Sequence, residues 1–143
     1  MIRQIAFGSP VYDEALRFRE EHLRRPLGLG FSADDLAGEA EQIHIAAFEA
    51  EALVGTVLLK PASAAIVRLR QMAVAQHRRR TGLGSDLVRF AERVAHEQAF
   101  ETIELHARAD VERFYTALGY GRVGDVFVHM TIPHVAMSKH LAA

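Results

Sequence analysis

The 143 residues contain no cysteine. That excludes disulfides, thiolate catalysis and cysteine-ligated zinc, although it leaves the compartment open. Neither charge is in surplus: 17 basic against 18 acidic side chains leave a net charge of −1, so the chain as a whole is not built for nucleic acid or an acidic membrane surface. No apolar run approaches the roughly 20 residues of a membrane span. The start Met1-Ile2-Arg3-Gln4-Ile5 lacks the basic and apolar regions of a signal peptide. A cytoplasmic protein with no membrane partner is expected. No Gly-Lys-Ser/Thr follows the glycines of the chain's middle, and position 87 is Leu where a G-x-G-x-x-G pattern needs glycine, so neither the ATP nor the dinucleotide fingerprint is present. The eight histidines are scattered, with no His-x-x-x-His pair on an expected helix beside an acid, and no metal is expected.

What remains is ordinary soluble-protein chemistry. Half of the residues are hydrophobic and 24% are charged. A chain of this length buries roughly 70% of the surface its unfolded form exposes, and residues 1–143 are expected to form a single domain. Ile2, Ile5 and Phe7 suggest a first strand. Ser9 as N-cap and Pro10 at the first helical position open a helix running to residue 23. Its apolar residues are Val11, Ala15, Leu16 and Phe18, and Arg19 is assigned to the charged, solvated face. A loop at 26–30 and a short helix from Ser32 follow. Residues 43–49 and 52–60 read as a hairpin and 65–74 as the next strand. The two-residue period slips between Leu69 and Met72, as a bulge would make it do. A strongly amphipathic helix follows Gly82, then a strand over 102–107. A helix capped by Asp110 runs to Leu118 with Gly119 as its stop, and two strands at 120–129 and 132–139 end the chain. Three strands in a row, then alternating helices and strands, make a mixed sheet with helices packed on it, an α+β arrangement of the α/β class.

The turn before the long helix carries the chemistry. Arg79-Arg80-Thr81-Gly82-Leu83-Gly84-Ser85 sets free backbone N–H groups at a helix N-terminus, where the macrodipole is positive and phosphate binds. Gly82 and Gly84 allow close approach, Arg79 and Arg80 add charge, and Thr81 and Ser85 add hydroxyl donors. By itself the pattern fits a solvated basic turn equally well.

Its context narrows it. Leu69, Ala73-Val74, Arg79, Gly82 and Gly84, followed by Phe114-Tyr115-Thr116-Ala117-Leu118-Gly119-Tyr120, resemble the GNAT superfamily of acetyl-CoA-dependent N-acetyltransferases. The close Ile132-Pro133-His134-Val135-Ala136-Met137, with Arg24-Arg25-Pro26-Leu27-Gly28 and Leu105-His106-Ala107, is similar to the ElaA-like and YjcF-like branch. The resemblance spans residues 17–137. It implies a GNAT fold, a central mixed sheet flanked by helices in which two parallel strands splay apart around acetyl-CoA. Met72, Ala73 and Val74 would then meet the pantetheine arm, and Arg79 through Ser85 would hold the pyrophosphate. Tyr115 would be the general acid for the leaving thiolate. A small-molecule or peptide amine is the implied acceptor, facing residues 24–35 and the last two strands, and pairing of edge strands into a homodimer is a family habit.

Two departures from the family pattern stand out. Arg108 occupies a position where many relatives carry Gln or Asn, and is a candidate for a cofactor phosphate or an acidic acceptor. The strand before the turn, Val67-Arg68-Leu69-Arg70-Gln71, holds no acid to act as base. His134 is the first candidate for that role, ahead of Glu20, His22 and bulk solvent. These departures support a second expectation, a CoA-binding sensor or interaction module that keeps the fold without turnover.

Overall fold

A computed structural model describes residues 1–141. Its elements follow the order the sequence predicts: β1 (Ile2–Ile5), α1 (Pro10–Leu23), α2 (Ala33–Leu36), β2 (Ile43–Glu49), β3 (Ala52–Pro61), β4 (Ile66–Val74), α3 (Leu83–Glu97), β5 (Thr102–Arg108), α4 (Glu112–Ala117), β6 (Gly121–His129) and β7 (Ile132–His140). Seven strands form one sheet in the order β1-β2-β3-β4-β5-β7-β6. β4 and β5 are parallel and all other neighbours antiparallel. The parallel pair needs a crossover, which α3 supplies.

β2 and β3 are buried residue after residue, because helices cover both faces of the sheet there. On one face Ile45, Val57, Leu59, Val67 and Leu69 pack with Leu87, Val88, Ala91 and Val94 of α3. On the other, Ile5, Ala46 and Phe48 pack with Ala15 of α1. Each fully buried aliphatic side chain contributes roughly 1.5–3 kcal/mol, so this double burial holds the central strands. β6, at the sheet edge, is exposed over nearly its whole length.

Local signals were accurate at several boundaries. Ser9 accepts a hydrogen bond from the Tyr12 N–H at 3.2 Å, and Ser32 with Asp35 closes a full capping box on α2. Three details differ from the sequence reading. The first strand ends at Ile5, and Phe7 lies beyond it, half-exposed. Asp110 does not cap α4: a 3₁₀ turn over Ala109–Val111 intervenes, Val111 becomes the N-cap, and the Asp110 carboxylate lies 3.7 Å from Arg108 Nε instead. Arg19 is not solvated but 1% exposed. Tyr12, Ala15 and Arg19 share one helical face, and that face meets the buried carboxylate of Glu39. Arg19 Nη1 and Nη2 donate to Glu39 Oε2 and Oε1 at 2.9 and 2.7 Å, and the Tyr12 hydroxyl donates to Oε1 at 2.7 Å.

The bulge lies where the period slips. Leu58 faces Arg70 and Thr56 faces Ala73, so Val57 alone opposes both Gln71 and Met72. Gln71 takes φ +51° to do this, a left-handed conformation that costs a non-glycine residue about 1 kcal/mol.

Candidate functional site

The bulge bends β4 away from β5. Their pairing runs only from Ile66↔Thr102 to Leu69↔Leu105, while β4 continues along β3 to Val74↔Gly55 and β5 continues along β7 to Arg108↔His134. Beyond Leu69 the facing edges part, and their backbone groups are left without strand partners. Just below the opening, Arg68 and Glu104, register neighbours on the two strands, form an ion pair at 3.1 Å.

A cleft of about 270 Å³ fills the gap. Its floor is Leu69, Gln71 and Met72 of β4 with Leu105 to Arg108 of β5, and Tyr115 of α4 closes one side. The end of α1 and the turn after it form one wall, from His22 to Leu27, while His129, Met130, Ile132 and His134 form another. Among the described residues, no aspartate or glutamate lines it.

Tyr115 is 7% exposed, and burial alone pushes its hydroxyl up to about 12, so it is protonated at neutral pH. Its ring is flanked by Phe114 at 4.9 Å and Tyr120 at 5.8 Å. Tyr120, by contrast, donates its hydroxyl to Glu92 Oε2 at 2.9 Å and belongs to the core.

His134 Nδ1 lies 2.7 Å from the Ile132 carbonyl oxygen. A carbonyl only accepts, so Nδ1 carries the proton and the neutral ring keeps its lone pair on Nε2. His22 Nδ1 bonds the Phe18 carbonyl at 2.9 Å in the same way. His106 is held below the usual histidine value first by burial and then by the charge of Arg68. Glu20 is not part of the cleft; its carboxylate accepts the Phe31 N–H at 2.9 Å. Arg108 lines the cleft, half-exposed, beside Asp110. Among the described residues, no three His, Asp or Glu side chains are grouped to hold a metal ion, and no helix is long and apolar enough to cross a membrane.

The glycine turn sits at the end of β4. Arg79 Nε donates to the Val74 carbonyl at 3.3 Å. α3 begins at Leu83 with Gly82 as N-cap at φ +89°, and no side chain caps it, so its first N–H groups have no protein acceptor. A Cβ on Gly82 would meet nothing within 4 Å, whereas one on Gly84 would lie 3.3 Å from the Phe114 ring and 3.7 Å from Met72 Cε. One glycine opens the helix end to solvent; the other lets the helix pack against the side of the cleft.

A family model described as the acetyltransferase (GNAT) domain matches residues 31–141. The chain belongs to this family. GNAT members transfer acetyl groups from acetyl-CoA. A candidate acetyltransferase of Bacillus subtilis strain 168 is 32% identical over 110 residues, 74% of this chain and 70% of the relative. A crystal structure of an aminoglycoside 6'-N-acetyltransferase complexed with coenzyme A superposes with a TM-score of 0.79 at 22% identity, covering 100% of this chain and 98% of the other. Escherichia coli ElaA superposes at 0.80 with 21% identity, covering 97% and 98%. At such identities the structural likeness establishes the GNAT fold, with its parallel pair inside a mixed sheet flanked by helices.

The tertiary structure thus draws Met72, Arg108, Tyr115, His134 and His22 to one cleft and sets the Arg79–Ser85 turn beside its β4 end, leaving Glu20 outside. Sequence reading missed the side chain of Gln71, which accepts from Arg19 Nη1 at 2.8 Å. It also missed His106 as a lining residue. The slipped period marked the position of Gln71 but carried no sign of its buried partner.

Proposed function

We propose that this protein is an N-acetyltransferase of the ElaA-like branch, moving the acetyl group of acetyl-CoA directly to a primary amine in a ternary complex, with residues 1–143 acting as one catalytic domain. The observation that carries this reading is the opening of β4 from β5, with a protonated tyrosine on its wall and an uncapped helix N-terminus at its end. The residues present fit CoA. The open space over Gly82 admits a phosphate, and the N–H groups from Arg79 to Ser85 with the side chains of Arg79 and Arg80 hold it; the Thr81 hydroxyl is spent on the Arg78 carbonyl, contrary to its expected role as a donor. The edge of β4 from Met72 to Val74 that turns away from β3, where only the Val74 carbonyl is taken by Arg79, suits the amide-bearing pantetheine arm. Bound there, acetyl-CoA supplies an activated acetyl thioester.

The chain's own residues then handle two protons. An alkyl ammonium with pKa near 10 costs about 4 kcal/mol to deprotonate at pH 7. His134 Nε2, aimed by the Nδ1 bond to Ile132, takes that proton directly or through water. Cationic Arg108 and the absence of lining carboxylates favour the neutral amine. The Tyr115 hydroxyl, protonated up to about 12, donates to the departing sulfur. Lacking cysteine, the protein has no thiol to carry an acyl intermediate, in keeping with direct attack. The test is free-thiol release from acetyl-CoA with a panel of primary amines. Release with at least one amine is expected; CoA binding without release from any would leave the CoA-binding module as the better reading.

A further inference from the structure

The cleft's cations outnumber what the transfer reaction needs, and one of them is unmatched. Arg24, the residue that ends α1, lines the acceptor wall. Its guanidinium lies over the Phe31 ring at 5.0 Å, makes one long bond from Nη1 to the Leu23 carbonyl at 3.4 Å, and leaves Nε buried with no partner. The two acids on the elements that flank it are occupied: Glu20, one turn earlier on α1, accepts the Phe31 N–H at 2.9 Å, and Asp35 accepts the Ser32 N–H at 2.8 Å in the capping box of α2. The other nearby arginines are engaged: Arg19 by Glu39, Arg68 by Glu104, and Arg70 by Gln42 at 3.3 Å. Arg70 is held below its usual value first by burial, with the charges of Arg19, Arg68 and Arg24 adding to the effect and Glu39 opposing it. The acceptor end is therefore a positive region in which, among the described residues, the Arg24 fork has no carboxylate partner. Around it the wall is apolar, through Leu23, Pro26, Leu27, Met130 and Ile132.

We infer that the acceptor is a small amine bearing a carboxylate on an apolar body, of the amino-acid type, with the carboxylate seated on Arg24. A planar guanidinium matches a carboxylate bidentately and is weakly hydrated, so it is the side chain suited to this pairing in a partly buried wall. A polycation such as an aminoglycoside has no carboxylate to meet here and is repelled by Arg24 and Arg108. The inference rests on the acetyl-transfer reading for its chemistry, but the carboxylate seat is measurable without turnover.

The experiment compares matched pairs that differ only in the carboxylate: leucine against 3-methylbutylamine, and phenylalanine against phenethylamine, with kanamycin as the polycation. Calorimetry on the CoA-loaded protein reads binding, and thiol release reads kcat/KM. The carboxylate-bearing member of each pair is expected to be favoured by about ten- to hundredfold, the value of a charge-assisted pair. Arg24→Gln protein that still binds CoA is expected to lose most of that preference, and Arg24→Lys to recover only part. Equal or stronger binding of the decarboxylated amines or of kanamycin, or a preference that survives Arg24→Gln, would overturn the inference. Failure of every amine to release thiol counts against the transferase reading alone, because calorimetry still decides the carboxylate preference.

Discussion

Arg19 Nη1 donates to Gln71 Oε1 at 2.8 Å, joining a buried helix arginine to the bulge residue that opens the cleft. The same guanidinium is held bidentately by Glu39, at 1% exposure on both residues. The pair anchors α1 against the strained turn of β4, so stability and site geometry depend on one network.

Arg19→Leu is expected to destabilise the fold by about 3–5 kcal/mol, because it strands the Glu39 carboxylate in the interior. The double variant Arg19→Leu/Glu39→Leu should recover much of that loss, since no unpaired charge remains. Urea unfolding of the two variants and the parent measures both. A double variant as unstable as the single one would show that the ion pair's worth lies elsewhere than in charge compensation.

Acid should unfold the protein through the same network. Burial pushes Glu39 up, but hydrogen bonds from Arg19 and Tyr12 and the charge of Arg19 outweigh it, and its carboxyl sits below the usual value. A group depressed in the folded state contributes stability above its unfolded pKa of about 4.3 and loses it as pH falls through the folded value. Thermal midpoints are expected to hold from pH 7 to about pH 5 and to drop below that, with a shallower drop in Glu39→Gln. Parallel pH profiles for the two proteins would remove Glu39 from the account.

Tyr115→Phe is expected to lower kcat by about 10²–10⁴-fold with KM for acetyl-CoA little changed. Because burial alone shifts this hydroxyl, the substitution breaks no stabilising hydrogen bond, and the melting temperature should stay near that of the parent. The parent's activity should show no alkaline loss from Tyr115 until the pH nears about 12. Unchanged turnover in the variant would return Tyr115 to a packing role.

The two glycines of the turn should fail for different reasons. Gly82→Asn tolerates the left-handed φ of +89° at a cost near 1 kcal/mol but fills the space over the helix end, so CoA affinity should fall at least tenfold in a folded protein. Gly84→Val drives its side chain into Phe114 and Met72, costing about 1–3 kcal/mol by overpacking and disturbing the ring beside Tyr115. Calorimetric titration with CoA alongside melting curves separates the two; undiminished affinity in Gly82→Asn would move the phosphate elsewhere.

The order of elements, the cap at Ser9, the short helix opening at Ser32, the bulge near Gln71 and the glycine turn were all legible in the chain. They depend on spacing and turn chemistry among residues a few positions apart, and the apolar period of α3 exists before anything packs on it. The burial of Arg19, the place of Asp110 beside Arg108 instead of at the cap of α4, and the unmatched guanidinium of Arg24 were decided only by tertiary structure. Glu39 and Gln71 stand 20 and 52 residues from Arg19, and a charge reads as solvated until the fold brings such a partner to it. For Arg24 the sequence marked only a place, in a motif expected to face the acceptor, and what sets its guanidinium apart is that its neighbours in space are paired to other groups.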